Sequence, residues 1–380
     1  MDTRTFRQDK ITRNSEAQAI GKRVMVAMSG GVDSSVAAAI LLEQGYETSG
    51  ATLKLTNQVS CDINTRGRTC CSLEDIEDAR SVALNLDIDY LVLNHTQDFK
   101  TQVIDRFVNA YKTGYTPNPC IDCNRYIKFA SFFEQADLLG FDYLATGHYA
   151  RVRYNEETGR HELMKGRDSH KDQSYVLYSL DQKQLAHTLF PLGDYDKPEI
   201  RDIADRLEFV NSNKPDSQDI CFVPDGDYRH FLASEGVVVD AGNFIDKEGN
   251  VLGQHKGIEA YTVGQRKGLG ITADRPLFVI EKNVEENTVT LGNEEDLYAP
   301  GLIAADMNWV SIAELTEPLV VSAKIRYSHR EVEATLYPLE GGRVRVIFAE
   351  PQKAVTPGQA AVFYHDDVVV GGGTIIEALS

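Results

Sequence analysis

From residue 24 to about 215, short apolar runs alternate with stretches whose apolar positions recur at helical spacing. "VMVAM" precedes "SSVAAAILLEQG", "ETSGATLKL" precedes "SLEDIEDARSVALNL", "DYLVLNH" precedes "TQVIDRFVNAYKTG", and "FASFFEQADLLG" precedes "DYLATGHYA". Runs that are apolar throughout suit strands buried on both faces, and helix-length connections carry the chain back to the same sheet edge. The pattern therefore predicts an α/β region, a parallel sheet covered by helices on both faces. From about 216 to 285 the chain turns irregular and glycine-rich, with "YTVGQRKGLGI" inside it. From about 286 onward, β-type runs such as "LVVSAKIRYS", "EVEATLYPL", "RVRVIFAE" and "QAAVFY" are broken by turns such as "EGG". These predict a small antiparallel β-barrel or sandwich. No internal repeat or low-complexity tract interrupts the scheme.

Composition narrows the classes. A chain of 380 residues with 42% hydrophobic residues is long enough for two or three domains with cores of their own. It has no run of about 18 apolar residues, which a membrane span needs. The opening "MDTRTFRQDKITRNSEAQAIGKR" is polar and lacks the apolar core of a signal peptide, so residues 1–22 read as a flexible leader and the chain as cytoplasmic. Cysteines stand at 61, 70, 71, 120, 123 and 221, too few and too clustered for a disulfide scaffold, which turns attention to metal binding or thiol chemistry. The formal charge of -18 runs against a nucleic-acid partner without excluding a local basic face.

The first motif is "SGGVDSS", residues 29 to 35, which joins the carboxyl end of the first strand to the start of the first helix. Helix amino ends present unpaired N–H groups and a partial positive charge, and Gly30 and Gly31 let an anion approach the backbone closely. A Walker loop would carry a lysine that reaches the terminal phosphates, and none is present here. A plain glycine turn with a cap at Asp33 or Ser34 is the alternative. The stretch resembles the S-G-G-x-D-S pyrophosphate loop of enzymes that split ATP into AMP and pyrophosphate.

The second motif is "TGYTPNPCIDCNRYIKF", residues 113 to 129. Its prolines force an extended turn ahead of Cys120 and Cys123, so both thiols fall near the start of the next helix, where a thiol's pKa is lowered. A structural zinc site drawing on Cys61, Cys70 and Cys71 competes with this reading, though adjacent cysteines diverge as ligands. A thioredoxin-like redox pair fits less well, because the pair follows Pro-Asn-Pro inside a nucleotide-binding pattern. The third motif is "NKPDSQDICFVPDGDY": a lone cysteine such as Cys221 is more often a small core residue than a reagent, and its polar and acidic neighbours weaken that reading.

Taken together, the loop, the PNPC turn, "TGHY", "KDQSY", "DSQDICF" and "GQRKGLG" resemble in order and spacing the tRNA-specific 2-thiouridylases, and "RYS" and "TPGQ" extend the likeness through the β region. The resemblance implies a Rossmann-like, adenine nucleotide α-hydrolase-like domain over 23–215, a central tRNA-binding domain over 216–285 and a C-terminal β-barrel domain over 286–380. It implies ATP-dependent 2-thiolation of the wobble uridine, with adenylation of the uridine oxygen followed by attack of sulfur. It assigns nucleotide contacts to Ala27, Met28, Ser29, Gly30, Gly31, Val32, Asp33, Ser34, Leu53 and Gly147. Cys123 becomes the catalytic nucleophile, Cys221 the persulfide carrier and Asp33 a catalytic residue and the candidate for Mg2+. Asn118, Pro119 and Cys120 fall on the target base, and His148, Lys171, Asp172, Gln173, Arg326, Tyr327 and Gln359 on the tRNA.

Many relatives carry aspartate where this chain has Cys120. Three cysteines would then face one cleft, the number wanted by a 4Fe-4S cluster with one open iron, so Cys120, Cys123 and Cys221 stand as candidate cluster ligands beside the persulfide route. The implied partners are the tRNA anticodon stem-loop and a sulfur donor such as a cysteine desulfurase or sulfur-relay protein. Arg266, Lys267, Lys324, Arg326 and Arg330 interrupt the acidic background as a basic clamp. Two other classes remain open: an AMP-forming ligase acting on a small acid, and an ATP-binding iron-sulfur or redox sensor.

Overall fold

A computed structural model describes residues 19, 21–56, 73–216, 219–223, 226–237 and 240–380. Cys61, Cys70 and Cys71 and nearly all of the leader lie outside the described residues.

The chain opens with β1 (Arg23–Ala27), whose residues alternate between two cores. Val24 and Val26 face α1 (Val32–Glu43), while Met25 faces the opposite side. β2 (Glu47–Lys54), α2 (Leu73–Asn85) and β3 (Asp89–Asn94) follow. α3 runs from Thr96–Phe99 through a π-helical turn at Lys100–Ile104 into Asp105–Lys112. α4 begins at Pro119–Asp122, widens into a π-helix over Cys123–Ser131, and ends as Phe132–Leu138. π-helical turns of this kind concentrate at functional sites, and this one starts on Cys123.

After β4 (Tyr143–Thr146) the chain departs from simple alternation. β5 (Ala150–Asn155) and β6 (Arg160–Lys165) form a hairpin that leaves the parallel sheet and pairs with the C-terminal barrel, Met164 opposite Val368. β7 (Thr188–Leu189) then returns to the parallel sheet, and α5 (Lys197–Arg206) packs on α1. The sheet order is β3-β2-β1-β4-β7, all parallel. The order turns back at β1 and β4, and the crevice outside their carboxyl ends is where α/β sheets bind ligands.

The central region begins with α6 (Tyr228–Ser234). Its sheet of β8 (Gly242–Ile245), β9 (Val251–His255), β10 (Phe278–Asn283) and β11 (Thr288–Gly292) closes over Phe244, Tyr261, Val279 and Leu291, and it extends past residue 285 to Gly292. β12 (Tyr298–Trp309), β13 (Leu319–Lys324), β14 (Val332–Pro338), β15 (Val344–Lys353), β16 (Ala360–His365) and β17 (Val368–Leu379) form a six-stranded antiparallel barrel. Pairing of β12 with β17 closes it, which settles the choice between barrel and sandwich. Val362, Tyr364 and Val369 share one apolar cluster with Phe129, Tyr175 and Tyr178, so the barrel and the α/β layer are packed as one core.

Candidate active site

The backbone of the glycine loop is prepared for an anion. Gly31 caps α1 in extended conformation (φ −89°, ψ 159°), and no side chain occupies the cap. The alternative cap at Asp33 or Ser34 is therefore not used, and the first-turn N–H groups face the loop. The two serines serve the loop itself: Ser34 Oγ and Ser35 Oγ each donate to Gly31 O at 3.1 Å, and Ser29 N donates to Ser34 Oγ at 3.2 Å. Gly30 has φ +73°, and a Cβ there would meet Asp75 O at 2.4 Å. At Gly147 a Cβ would lie 2.8 Å from Ser34 N, so the two chain segments approach at backbone distance. Below the loop, Thr52 Oγ1 donates to Met28 O at 2.6 Å and Asn211 Nδ2 donates to Gly30 O at 3.0 Å and to Ser35 Oγ at 2.9 Å. Leu53 is buried in the apolar core, so only its backbone, at the carboxyl end of β2, is available to a nucleotide.

The lysine absent from the loop arrives from elsewhere. Lys197, the first residue of α5, places its Nζ 2.8 Å from Asp33 and 2.7 Å from Asp216, with only 10% of its side chain exposed. Tyr149 donates its hydroxyl to the same Asp33 carboxylate at 2.8 Å. Burial, reinforced by the Asp33 charge, drives the Tyr149 phenol far above its ordinary value and keeps it a donor. Asp216 is contacted as well by Lys171 at 2.7 Å and Arg201 at 3.3 Å. Burial pushes the Asp216 carboxyl up, but its bonds to Lys171 and Lys197 outweigh that effect and leave it below the ordinary carboxylate value.

The PNPC turn is held from both sides. Asn118 caps α4 by accepting from Cys120 N at 3.1 Å, and Pro119 takes the first turn, where its missing N–H is harmless. From the barrel, Pro357 O accepts from Thr116 N at 2.9 Å and Gln359 Nε2 donates to Thr116 O at 2.8 Å. Gly358 (φ +93°) permits this approach, since a Cβ would lie 2.8 Å from Thr116 N. Asn124, beside Cys123, is buried and donates to Val176 O at 3.0 Å.

Cys123 and Cys221 are both half-buried against the apolar cluster that contains Met25, Ala51 and Leu53. Phe222 anchors the second of them, its ring 5.8 Å from that of Phe99 and 5.2 Å from that of Phe107. Cys120 is exposed at the surface of α4. For the candidate 4Fe-4S ligands Cys120, Cys123 and Cys221, no group of three or more His, Cys, Asp or Glu side chains is placed to hold a metal among the described residues. Two of the thiols pack against the core and the third is exposed.

The residues expected to touch tRNA divide by burial. His148 is 8% exposed, sits between the rings of Phe129 and Phe190, and exchanges a 2.7 Å hydrogen bond with Thr146. Burial, with a smaller contribution from Lys128, holds its pKa well below the ordinary imidazole value and favours the neutral ring. Asp172 is buried too and accepts from Gly166 N, Ser174 N and Ser174 Oγ, while Gln173 Oε1 accepts from Tyr149 N at 2.9 Å. These side chains shape the loop beside Gly147, and Gln359 is committed to Thr116. Lys171 is committed to Asp216 and Arg326 donates to Lys353 O at 3.2 Å. Tyr327 is exposed, with Lys324 Nζ 5.8 Å from its ring, and Arg266, Lys267 and Arg330 are exposed.

Sequence reasoning missed Lys197, Asp216, Asn211 and Tyr149. A signal for one of them exists in "DKPE": Glu199 accepts from Asp196 N at 2.9 Å, marking a helix start. Lysine is electrostatically misplaced at a helix amino end unless an anion is nearby.

The fold and the loop define an α/β nucleotide-binding enzyme of the pyrophosphate-loop type with a barrel-bearing extension. Residues 22–225 match the tRNA methyl transferase HUP domain family, 229–293 the tRNA methyl transferase PRC-barrel domain and 299–375 the aminomethyltransferase beta-barrel domain. The chain is 51% identical over 355 residues to the tRNA-specific 2-thiouridylase MnmA of Acetivibrio thermocellus, spanning 93% of this chain and 99% of that one. It is 50% identical over 376 residues to the protein of that name from Symbiobacterium thermophilum (97% and 96% covered). With the one from Clostridioides difficile it shares 49% over 361 residues (95% and 99%). The chain belongs to the tRNA-specific 2-thiouridylase family.

Proposed function

We infer that this enzyme uses ATP to replace the C2 oxygen of a tRNA uridine, the wobble uridine, with sulfur. The observation that supports the reading is an uncapped glycine loop at the sheet's switch point in a chain whose Cys123 and Cys221 both pack on the apolar cluster that holds Leu53 of β2. Oxygen on C2 is a poor leaving group, so it first attacks the α-phosphorus of ATP. The bond to the β-phosphate oxygen breaks, pyrophosphate leaves, and C2 now carries AMP. The loop's N–H groups and Lys197 favour this step because they face the charge that accumulates on the departing pyrophosphate. Bound magnesium would neutralise the triphosphate further, and Asp33, in the loop itself, is the carboxylate that would hold it.

Sulfur enters as a persulfide on Cys221. Its terminal sulfur adds to C2 and AMP departs with the bonding pair, leaving a C2–S–S–Cys221 linkage. The Cys123 thiolate attacks the Cys221 sulfur, the thiolated base is released, and a Cys123–Cys221 disulfide remains. A thiol reductant then returns both cysteines to the reduced state. The persulfide comes from an external donor, a cysteine desulfurase or a sulfur-relay protein. On the tRNA side, the anticodon loop is already single-stranded, so turning one uridine into a pocket costs little. Arg266, Lys267, Arg326 and Arg330 are the phosphate contacts of the clamp.

The test is mass spectrometry of wobble nucleosides after incubation of tRNA with ATP, a persulfide source and either the parent enzyme or Cys123→Ala. 2-Thiouridine is expected from the parent alone. A parent enzyme that exchanges pyrophosphate with ATP in the presence of a small acid but not of tRNA would overturn the reading in favour of a ligase.

A further inference from the structure

Asn124 follows Cys123 directly, at the start of the π-helical stretch of α4, and is 2% exposed. Its Nδ2 donates to Val176 O at 3.0 Å, while its Oδ1, buried as well, has no hydrogen-bond partner among the described residues. An enclosed acceptor left unpaired costs free energy that an apolar side chain at the same position would not incur. Packing alone therefore does not account for an amide here, and the bond to Val176 needs a reason of its own. Its acceptor sits on a well-anchored element, the buried helical turn Ser174–Leu177. Ser174 donates to Asp172 through both N and Oγ, and Tyr175 donates its hydroxyl to Ala360 O of the barrel at 2.9 Å. Val176 N donates to Gln173 O at 3.1 Å, Gln173 N to Tyr149 O at 2.9 Å, and Tyr149 N back to Gln173 Oε1 at 2.9 Å. Tyr149 reaches Asp33 through its hydroxyl, so a run of hydrogen bonds leads from the glycine loop to the residue beside Cys123. At Cys123 the helix changes from i→i+4 to i→i+5 bonding, and where that change falls sets the direction in which the Cys123 side chain leaves the helix. Asn118 and Pro119 fix the turn ahead of the change, buried Ile127 and Phe129 fix the helix after it, and Asn124 fixes the change itself.

We propose that Asn124 is a positioning residue for Cys123: its bond to Val176 O holds the widened turn so that Cys123 can reach the Cys221 sulfur and free the thiolated base. The proposal rests on the functional reading above and deepens it by assigning this contact to the resolving step and not to adenylation. In that step the Cys123 thiolate forms a bond to the Cys221 sulfur. The bond from Cys221 to the sulfur on C2 breaks, and its electron pair leaves with the thiolated base. Without the Asn124 bond the Cys123 side chain is displaced, and a displacement of about 1 Å costs an aligned reaction about 10²-fold in rate. The glycine loop keeps its own supports from Thr52 and Asn211, so adenylation and the first attack by the persulfide continue. The reaction should then halt with the tRNA joined to Cys221.

The experiment is a single turnover of enzyme loaded beforehand with persulfide, given magnesium-ATP and unmodified tRNA in the absence of thiol reductant. Released 2-thiouridine is read by nucleoside mass spectrometry, and the covalent tRNA–enzyme adduct by denaturing electrophoresis without reductant. The parent should release thiolated tRNA with little adduct. Asn124→Ala should release it about 10²-fold more slowly, accumulate the adduct, and yield 2-thiouridine once dithiothreitol is added, while tRNA-dependent ATP–pyrophosphate exchange stays at the parental rate. Asn124→Gln, which keeps the amide donor one methylene further out, should recover part of the release rate. Should Asn124→Ala fail to fold, Asn124→Asp, of the same size but without the amide donor, carries the same expectation. An Asn124→Ala enzyme that releases thiolated tRNA at the parental rate would overturn the proposal, because the contact would then be idle. One that loses exchange or the adduct together with product would overturn it as well, because the contact would then serve the fold alone. A parent that forms neither adduct nor 2-thiouridine sinks the functional reading, whereas a parent that thiolates beside an unaltered Asn124→Ala sinks only the positioning role.

Discussion

Lys197 and Lys282 are both drawn out of water, and the molecule treats them oppositely. Lys197 lies between Asp33 and Asp216 with its donors engaged. Lys282, on β10 of the central sheet, has a buried Nζ with no hydrogen-bond partner among the described residues, and the nearby Glu259 leaves its own Oε2 unmatched. Burial lowers the Lys282 pKa from 10.5 to about 8, against a weaker pull from Glu259 in the other direction. A compensated charge can be handed from protein to ligand. An uncompensated one only weakens the fold that contains it.

The largest effect that separates the two sites is catalytic. Lys197→Met should reduce tRNA-dependent ATP–pyrophosphate exchange by about 10²–10³-fold, the usual cost of losing one donor aimed at developing charge. Lys282→Met should leave that exchange unchanged, so a comparable loss there would erase the distinction. The next effect is on stability and has the opposite sign. Removing the Lys282 charge should stabilise the central region by up to about 3 kcal/mol at neutral pH, read as a higher urea midpoint. Its folded pKa lies below its unfolded one, so the unfolded chain binds more protons between pH 8 and 10.5 and the parent gains stability as pH rises through that window. Below about pH 8 the penalty is present in full. The Lys282→Met midpoint should lack this rise, and a parent midpoint flat from pH 8 to 10 would show that Lys282 is not uncomfortable. The smallest effect concerns the loop itself. Asn211→Ala removes two hydrogen bonds beneath Gly30 and Ser35 and should cost about 1–2 kcal/mol, most of it seen as weaker ATP binding by calorimetry.

Much of this architecture was readable because its signals are local. Apolar runs alternating with helical patterns marked β1 to β4, and the glycine loop announced an anion site without knowledge of its surroundings. The barrel, too, followed from alternation and turns, although only the β12–β17 pairing distinguishes closure from a sandwich. What escaped is long-range. Nothing in "ARVRYN" or "RHELMK" says that the hairpin leaves the parallel sheet, because strand periodicity does not name a partner. Lys197 is 164 residues from Asp33, and no spacing rule connects them. His148 shows the converse: a motif points to the residue, but the aromatic rings around it and the bond to Thr146 determine that it stays neutral and inside.

The brace between the barrel and the PNPC turn has a consequence for anyone who would rebuild this enzyme. Thr116 is fastened through Pro357 O and Gln359 Nε2, so the geometry ahead of the cysteine-bearing helix is inherited from a loop near the far end of the polypeptide. Grafting a foreign barrel, even one that folds well and grips RNA, would misalign the chemistry unless its own loop reproduced that splint.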